Sequence, residues 1–225
     1  MAGVVFIISL KELSQRSQLL RCAFLISLAY MLGYIGLSLY QDGDFNKIDW
    51  RMGIYFGINF VLLMFSYVLI YMMEKAFGYV SPITLVELSN INTPLLKKLS
   101  ETCAGTFQHS LQVSILASAA SAKIGADTQL VRTGALYHDI GKMKNPPFFT
   151  ENQMKGINPH RDLPFEQSAQ IIISHVTEGI KMAEKAGLPE AIIDFIRTHH
   201  GAGKAKYFYN SYCNAHPGEP VDESL

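Results

Sequence analysis

Cysteine is scarce in this sequence, and its three residues, Cys22, Cys103 and Cys213, have no paired spacing. Neither a zinc ribbon nor a disulfide framework is therefore indicated. An excess of one charge is also lacking, because 19 Lys and Arg residues are balanced by 19 Asp and Glu residues. A broad nucleic-acid-binding surface would need an excess of basic residues, so we expect no nucleic acid as a partner.

Two stretches lack charged side chains altogether, from Cys22 to Tyr40 and from Gly53 to Met73. A helix rises about 1.5 Å per residue and the hydrocarbon core of a bilayer is about 30 Å thick, so each stretch is long enough to cross it. We predict a membrane region over residues 1–77, with transmembrane helices near 19–40 and 53–73. Two buried core helices are the alternative, but such helices seldom run this far without a charge.

Charges at the ends of the first span predict its orientation. Lys11, Arg16 and Arg21 precede it, whereas acidic residues from Asp42 to Asp49 follow it, so the basic side is expected to face the cytoplasm. After two crossings the rest of the chain would also be cytoplasmic. The short apolar run from Val4 to Leu10 resembles the end of a further span, and we therefore expect the sequence to begin inside a larger membrane protein.

Beyond residue 77 no stretch alternates convincingly between polar and apolar residues, which predicts an all-α fold. Ser81-Pro82 and Thr93-Pro94 are favourable helix starts and predict a helical connector over 78–105. Caps and apolar spacing predict further helices over 107–124, after Asp127, over 165–186 and from Pro189. We expect these helices to form a bundle over 106–225, with a loop at 145–161 and an irregular tail after Gly201.

Each of these predicted helices contains a histidine or ends at one: His109, the pair His138-Asp139, His175, and the pair His199-His200. One histidine on a helix is more typical of a packed core than of a ligand. The set as a whole favours a metal site, because neutral imidazoles and a carboxylate suit iron, manganese or zinc. Ligands from separate helices can converge inside a bundle to hold one or two ions.

Four short motifs carry a resemblance to a known family. They are Phe107-Gln108-His109-Ser110, Tyr137-His138-Asp139-Ile140-Gly141-Lys142, Ile173-Ser174-His175-Val176 and Thr198-His199-His200-Gly201. In this order they resemble the motifs of the HD phosphohydrolase superfamily, specifically its seven-transmembrane, PgpH-type group. A bare His-Asp pair is a weak signal, whereas the ordered series is specific.

The resemblance implies a membrane-anchored phosphodiesterase of the bacterial inner membrane, in contact with lipid, with its HD domain in the cytoplasm. Its substrate would be a cyclic dinucleotide, cyclic di-AMP opened to the linear form by a metal-activated water. Two divalent ions, iron or manganese, would be held by His109, His138, Asp139, His175, His199 and His200, with Asp139 as the bridge. Lys142 could contact a phosphate or stabilise the leaving oxygen, or it could be a solvated lysine at a helix end.

Residues outside this ligand set are open to two interpretations. His160 and Arg161 could reach the nucleotide or form a simple surface turn, and the aromatic residues 207–209 could stack on adenine or pack within the domain. His216 is interpreted as incidental.

Two departures from the family pattern are visible. Ala104 stands where the family usually has proline, which should not remove a ligand. The family's final metal-binding aspartate lies further downstream, and Asp222 is not a convincing substitute. Either the chain is truncated or its tail has been rebuilt; we favour truncation and expect residues 1–225 alone to be feeble or inactive.

Two other functions remain open at this point. The HD fold could act on a different nucleotide, such as cyclic di-GMP or a nucleoside phosphate. Alternatively, the chain could be a receptor in which membrane helices transmit a signal and the metal domain only binds nucleotide. A homo-oligomer is also possible.

Overall fold

A computed structural model describes residues 16–154 and 156–217. The chain divides into two compact units, Met1–Glu87 and Leu88–Leu225. The division falls inside the predicted connector at 78–105. The limits 1–77, 78–105 and 106–225 stay predictions. The run from Val4 to Leu10, Lys11 and Asp222 lie outside the described residues.

The first unit contains two long helices, α1 (Arg16–Asp42) and α2 (Arg51–Phe77), separated by a 3-10 turn at Phe45–Lys47. Aromatic rings join the two helices, with the Phe24 and Phe60 centroids 6.4 Å apart and those of Tyr34 and Phe56 6.0 Å apart. Both helices are long and apolar enough to cross a membrane, and most of their side chains are exposed rather than buried in a protein core.

The connector forms two short helices, α3 (Pro82–Leu88) and α4 (Pro94–Thr102). Each begins at its proline, where the missing amide costs no hydrogen bond. The Ser81 hydroxyl accepts a bond from the Thr84 amide and caps α3 as predicted. Thr93 makes no such cap; its hydroxyl lies 3.2 Å from the hydroxyl of the buried Tyr137, which donates to the Leu88 carbonyl at 2.8 Å.

Four helices build the bundle: α5 (Ala104–Ile124), α6 (Thr128–Tyr137), α7 (Phe165–Lys185) and α8 (Glu190–Thr198). Asp127 caps α6 as predicted, because its carboxylate accepts the Leu130 amide at 2.9 Å. The core between these helices is aliphatic and includes Ile140, Ile192 and Ile196, all fully buried. No strand occurs among the described residues, so the all-α prediction is confirmed.

Two regions are more ordered than the sequence predicts. The segment after α6 contains short 3-10 helices at Ile140–Lys144, Pro146–Phe148, Thr150–Asn152 and Pro159–Asp162. The tail was predicted to be irregular after Gly201, but it forms α9 (Lys206–Ala215) against α7. Its sequence is poor in strong helix formers, so this packing stabilises the helix where intrinsic propensity does not.

Candidate metal centre

Four helices supply the predicted ligands. His109 lies on α5, His138 and Asp139 follow α6, His175 lies on α7, and His199 and His200 follow α8. The backbones must approach closely for these groups to meet. A Cβ atom on Gly141 would lie 1.8 Å from the His175 carbonyl oxygen, and one on Gly134 would lie 2.3 Å from the Phe195 ring. Glycine at these positions therefore lets the helices pack closely enough to bring the ligands together.

The Asp139 carboxylate is the centre of the cluster, and its side chain is 4% exposed. His138 Nε2 lies 3.1 Å and His109 Nε2 3.9 Å from Oδ2. On the other side, the Nε2 atoms of His175 and His199 each lie 3.5 Å from Oδ1. Asp139 is thus in contact with two separate groups of imidazoles.

The two groups share Asp139 and differ in the number of donors. Asp139, His175, His199 and His200 form one, and His109, His138 and Asp139 form the other; in each, the possible ligand atoms lie within 4.8 Å of one another. His175 Nε2 is 3.2 Å from both His199 Nε2 and His200 Nε2. Nitrogens bound to one ion at about 2.1 Å lie roughly 3.0–3.5 Å apart, so this spacing suits a shared ion.

Backbone carbonyls orient three of the imidazoles. The Nδ1 atoms of His138 and His199 bond to the carbonyls of Ala135 and Ile196 at 2.7 and 2.9 Å, and His175 makes the same kind of bond to Ile172. A carbonyl can only accept, so Nδ1 carries the proton and donates it in each case. The Nε2 lone pair is left to face the centre, as a metal ligand requires.

Charge in the centre favours ligands in their metal-binding form. Burial raises the pKa of the Asp139 carboxyl, but the imidazoles of His138 and His199 and the charge of Lys142 outweigh it and hold the pKa far below its usual range. Burial lowers the pKa of His175. Burial also lowers the pKa of His200, and the neighbouring His199 and His175 lower it further. An ionised carboxylate beside neutral imidazoles is the donor set that Fe, Mn or Zn prefers.

One oxygen in the centre has no hydrogen-bond partner. Asp139 Oδ1 is buried, and nothing in the described residues donates a bond to it. A buried charged oxygen without a donor is costly, and a cation bound between Oδ1 and the facing imidazoles would remove that cost. The residues present therefore fit a metal ion.

Lys142 also belongs to this cluster. Its Nζ lies 2.8 Å from Asp139 Oδ2 and 2.8 Å from Glu151 Oε1, and its side chain is 14% exposed. It is therefore not a solvated lysine at a helix end. Sequence reasoning missed Glu151, which lies in the segment interpreted as a loop, and no sequence motif marked it.

His160, Phe208 and His216 pack elsewhere in the domain, whereas Tyr207 is 75% exposed. His160 Nε2 bonds to the Phe148 carbonyl at 2.9 Å, and its ring lies 4.8 Å from that of Phe208. His216 stacks on Tyr212. His160 and Phe208 thus join the loop to α9 by packing. For Phe208 this is the second of the interpretations that the sequence left open, whereas neither interpretation of His160 included this contact.

Removing one imidazole from the four-donor group should weaken metal binding. We expect His200→Ala to lower the Mn²⁺ affinity of the tighter site by about 100-fold, because loss of a direct ligand should cost at least as much as loss of its hydrogen-bonding partner. Isothermal titration with Mn²⁺ would measure this. His216→Ala is the matched control and should bind Mn²⁺ like the unmutated chain; equal affinity in both variants would refute the assignment.

Comparisons with known proteins agree with this geometry. The family described as "7TM receptor with intracellular HD hydrolase" matches residues 1–81, and the HD domain family matches residues 106–224. The chain is similar to cyclic-di-AMP phosphodiesterase PgpH of Listeria monocytogenes, with 38% identity over 93% of this chain, and to that of Bacillus subtilis, with 34% identity over 99%. It spans 29% and 31% of the lengths of these relatives.

A solved structure also resembles the chain. The HD domain of L. monocytogenes PgpH, crystallised in complex with cyclic-di-AMP, is 46% identical, with a TM-score of 0.56. The match covers 58% of this chain and 61% of that one.

Proposed function

The chain belongs to the HD domain family, as its motifs predicted, and on that premise we propose that it is a metal-dependent phosphodiesterase acting on a cyclic dinucleotide. The observation that carries the proposal is the convergence of the predicted imidazoles on the buried Asp139 carboxylate. The similar PgpH domain that was crystallised with cyclic-di-AMP makes that dinucleotide the first substrate to test.

Two divalent ions, iron or manganese, fit the two donor groups in this proposal. His175, His199 and His200 would hold one, His109 and His138 the other, and Asp139 would bridge them. When bound, such ions lower the pKa of a water molecule and neutralise charge on phosphate oxygens. Among the described residues the two donor groups share one carboxylate, so most of the charge of the ions would remain to attract a substrate with two phosphodiester charges.

The chain's own residues would orient the substrate around this centre. The side chain of His109 is 48% exposed and His200 is exposed as well, whereas the side chain of His175 is 3% exposed. The centre is therefore accessible at His109 on α5 and at His200 after α8. We propose that the substrate phosphate approaches from there and that Lys142 contacts it. The exposed Tyr207 stays a candidate for stacking on a base.

The direct test is turnover by the purified full-length protein in detergent with Mn²⁺, with residues 1–225 assayed in parallel because their turnover alone is expected to be feeble. We expect cyclic di-AMP to give the linear dinucleotide, measured by chromatography, with cyclic di-GMP and nucleoside monophosphates as competing substrates in parallel reactions. Preference for another nucleotide would support metal-dependent hydrolysis but identify a different substrate. Failure to hydrolyse any of them would count against the enzymatic proposal.

The proposal places the protein in the bacterial inner membrane as a multi-pass protein with the HD unit in the cytoplasm. It is supported by the two apolar helices, the match of residues 1–81 to a seven-transmembrane family, and the basic residues Arg16 and Arg21 before the first span. Reporter fusions after Phe77 that are active only in the cytoplasm or only in the periplasm would test the orientation.

A further inference from the structure

The 3-10 turn Thr150–Asn152 folds back onto the first turn of α5. A Cβ atom on Gly105 would lie 1.9 Å from the Glu151 carbonyl oxygen, so only glycine permits this approach. Asn152 completes the junction, because its Oδ1 accepts the Thr106 amide at 3.2 Å and its Nδ2 donates to the Thr106 hydroxyl at 2.7 Å. The turn is therefore fixed against the ligand helix by backbone packing and by side-chain hydrogen bonds.

This junction holds the Glu151 carboxylate in place. The hydroxyl of Thr106, which is fully buried, donates to Glu151 Oε1 at 3.0 Å. The same oxygen accepts from Lys142 Nζ at 2.8 Å. Glu151 is thus anchored on α5 independently of the lysine that it contacts.

The Lys142 ammonium lies between two carboxylates and above an aromatic ring. Asp139 Oδ2 and Glu151 Oε1 are each 2.8 Å from Nζ, and the Phe149 ring centroid is 5.1 Å away. Burial lowers the pKa of Lys142, but the two carboxylates outweigh burial and raise it. Burial raises the pKa of Glu151, but Lys142, a backbone hydrogen bond and the Thr106 hydroxyl together outweigh burial and lower it. All three groups are therefore charged near neutral pH.

A divalent cation on Asp139 changes this balance. The cation would bind the Asp139 carboxylate that Lys142 contacts, and its charge would repel the Lys142 ammonium at short range. Lysine has a flexible side chain, so its ammonium moves away from a carboxylate that has bound a cation unless a second acceptor is fixed nearby. Glu151 is that second acceptor.

We propose that Glu151 is a positioning residue, which keeps the Lys142 ammonium beside the metal centre while cations occupy Asp139. This inference rests on the proposed metal-dependent function. Without the Glu151 charge, Lys142 has Asp139 as its remaining carboxylate and competes there with the metal. The carboxylate thus acts on metal binding and on the substrate phosphate through Lys142.

A double-mutant cycle tests whether Glu151 acts through Lys142. The variants are Glu151→Gln, Lys142→Met and the double variant of the whole chain in detergent, and Mn²⁺ affinity is measured by isothermal titration. Glutamine keeps the acceptor for Thr106 and removes the charge. We expect Glu151→Gln to weaken Mn²⁺ binding about tenfold in the unmutated background and less than about twofold in the Lys142→Met background, because coupled residues give non-additive effects.

A matched control removes a carboxylate from an exposed ion pair. Glu190 contacts Arg197 at 2.7 Å on the surface, and Glu190→Gln should leave Mn²⁺ affinity unchanged. Thermal unfolding of each variant checks that the fold is retained. In turnover, Glu151→Gln should lower kcat more than it raises KM, and this loss should be absent when Lys142 is already methionine.

Equal losses of Mn²⁺ affinity in both backgrounds would overturn the inference, because Glu151 would then act independently of Lys142. No loss in either background would overturn it as well. Mn²⁺ binding does not involve the substrate, so a chain that shows the expected coupling but hydrolyses no cyclic dinucleotide would refute the proposed function and retain the inference. Absence of Mn²⁺ binding in the unmutated chain would overturn both.

Discussion

Asp139→Asn is expected to lower kcat/KM for the cyclic dinucleotide by about 10³-fold, equivalent to about 4 kcal/mol of transition-state stabilisation. Asp139 contacts both groups of imidazoles, so the loss of its charge affects both proposed ion positions at once. Asparagine has nearly the same shape, which limits the change to charge and donor properties. Steady-state kinetics with saturating Mn²⁺ would measure the effect.

Asp127→Asn is the control for this substitution. It makes the same chemical change at the cap of α6, where asparagine accepts the Leu130 amide equally well, so kinetics and stability should be unchanged. Turnover that survives Asp139→Asn would show that hydrolysis occurs elsewhere. If the unmutated chain binds cyclic di-AMP without turnover, the receptor hypothesis is favoured instead.

Gly141→Ala is expected to reduce the free energy of unfolding of the HD unit by about 3 kcal/mol or more. The new Cβ would lie 1.8 Å from the His175 carbonyl oxygen and 2.5 Å from the Gly179 amide nitrogen, and both are backbone atoms that a rotamer change cannot move. The 3-10 helix Ile140–Lys144, which contains Gly141, and helix α7 would have to separate. Chemical denaturation would measure the loss, and Mn²⁺ titration should show weaker binding, because His175 moves away from Asp139.

Gly179→Ala provides the comparison on the opposite side of the same contact. Its Cβ would meet the Ile196 side chain at 2.9 Å and backbone only at 3.2 Å or beyond, so the expected loss is smaller, about 1–2 kcal/mol. If Gly141→Ala is no more destabilising than Gly179→Ala, the two backbones are further apart than described here.

The residues that converge on Asp139 could be predicted from sequence because their order and spacing form specific motifs. The starts of helices could also be predicted where a local signal exists. These signals are a proline at the first turn of α3 and α4, and Asp127 before α6. Thr93 carries the same signal as Ser81, yet its hydroxyl bonds to Tyr137, 44 residues away. A long-range partner of this kind overrides a local preference and leaves no trace in neighbouring residues.

Glu151 and α9 were missed for related reasons. Glu151 reaches Thr106 across 45 residues of sequence, in a segment whose prolines and glycine indicate only a loop. Helix α9 is poor in strong helix formers, and packing on α7 stabilises it. In both cases the decisive contact joins residues that are far apart in the sequence, so no local signal marks it.

The carbonyl partners of His138, His175 and His199 have a consequence for how the centre can be altered. Each partner is a main-chain atom three residues earlier on the same turn, so no side-chain replacement can delete it. A point mutation of a neighbouring side chain therefore leaves the Nδ1 hydrogen bond of each imidazole in place, as long as the local helical turn persists.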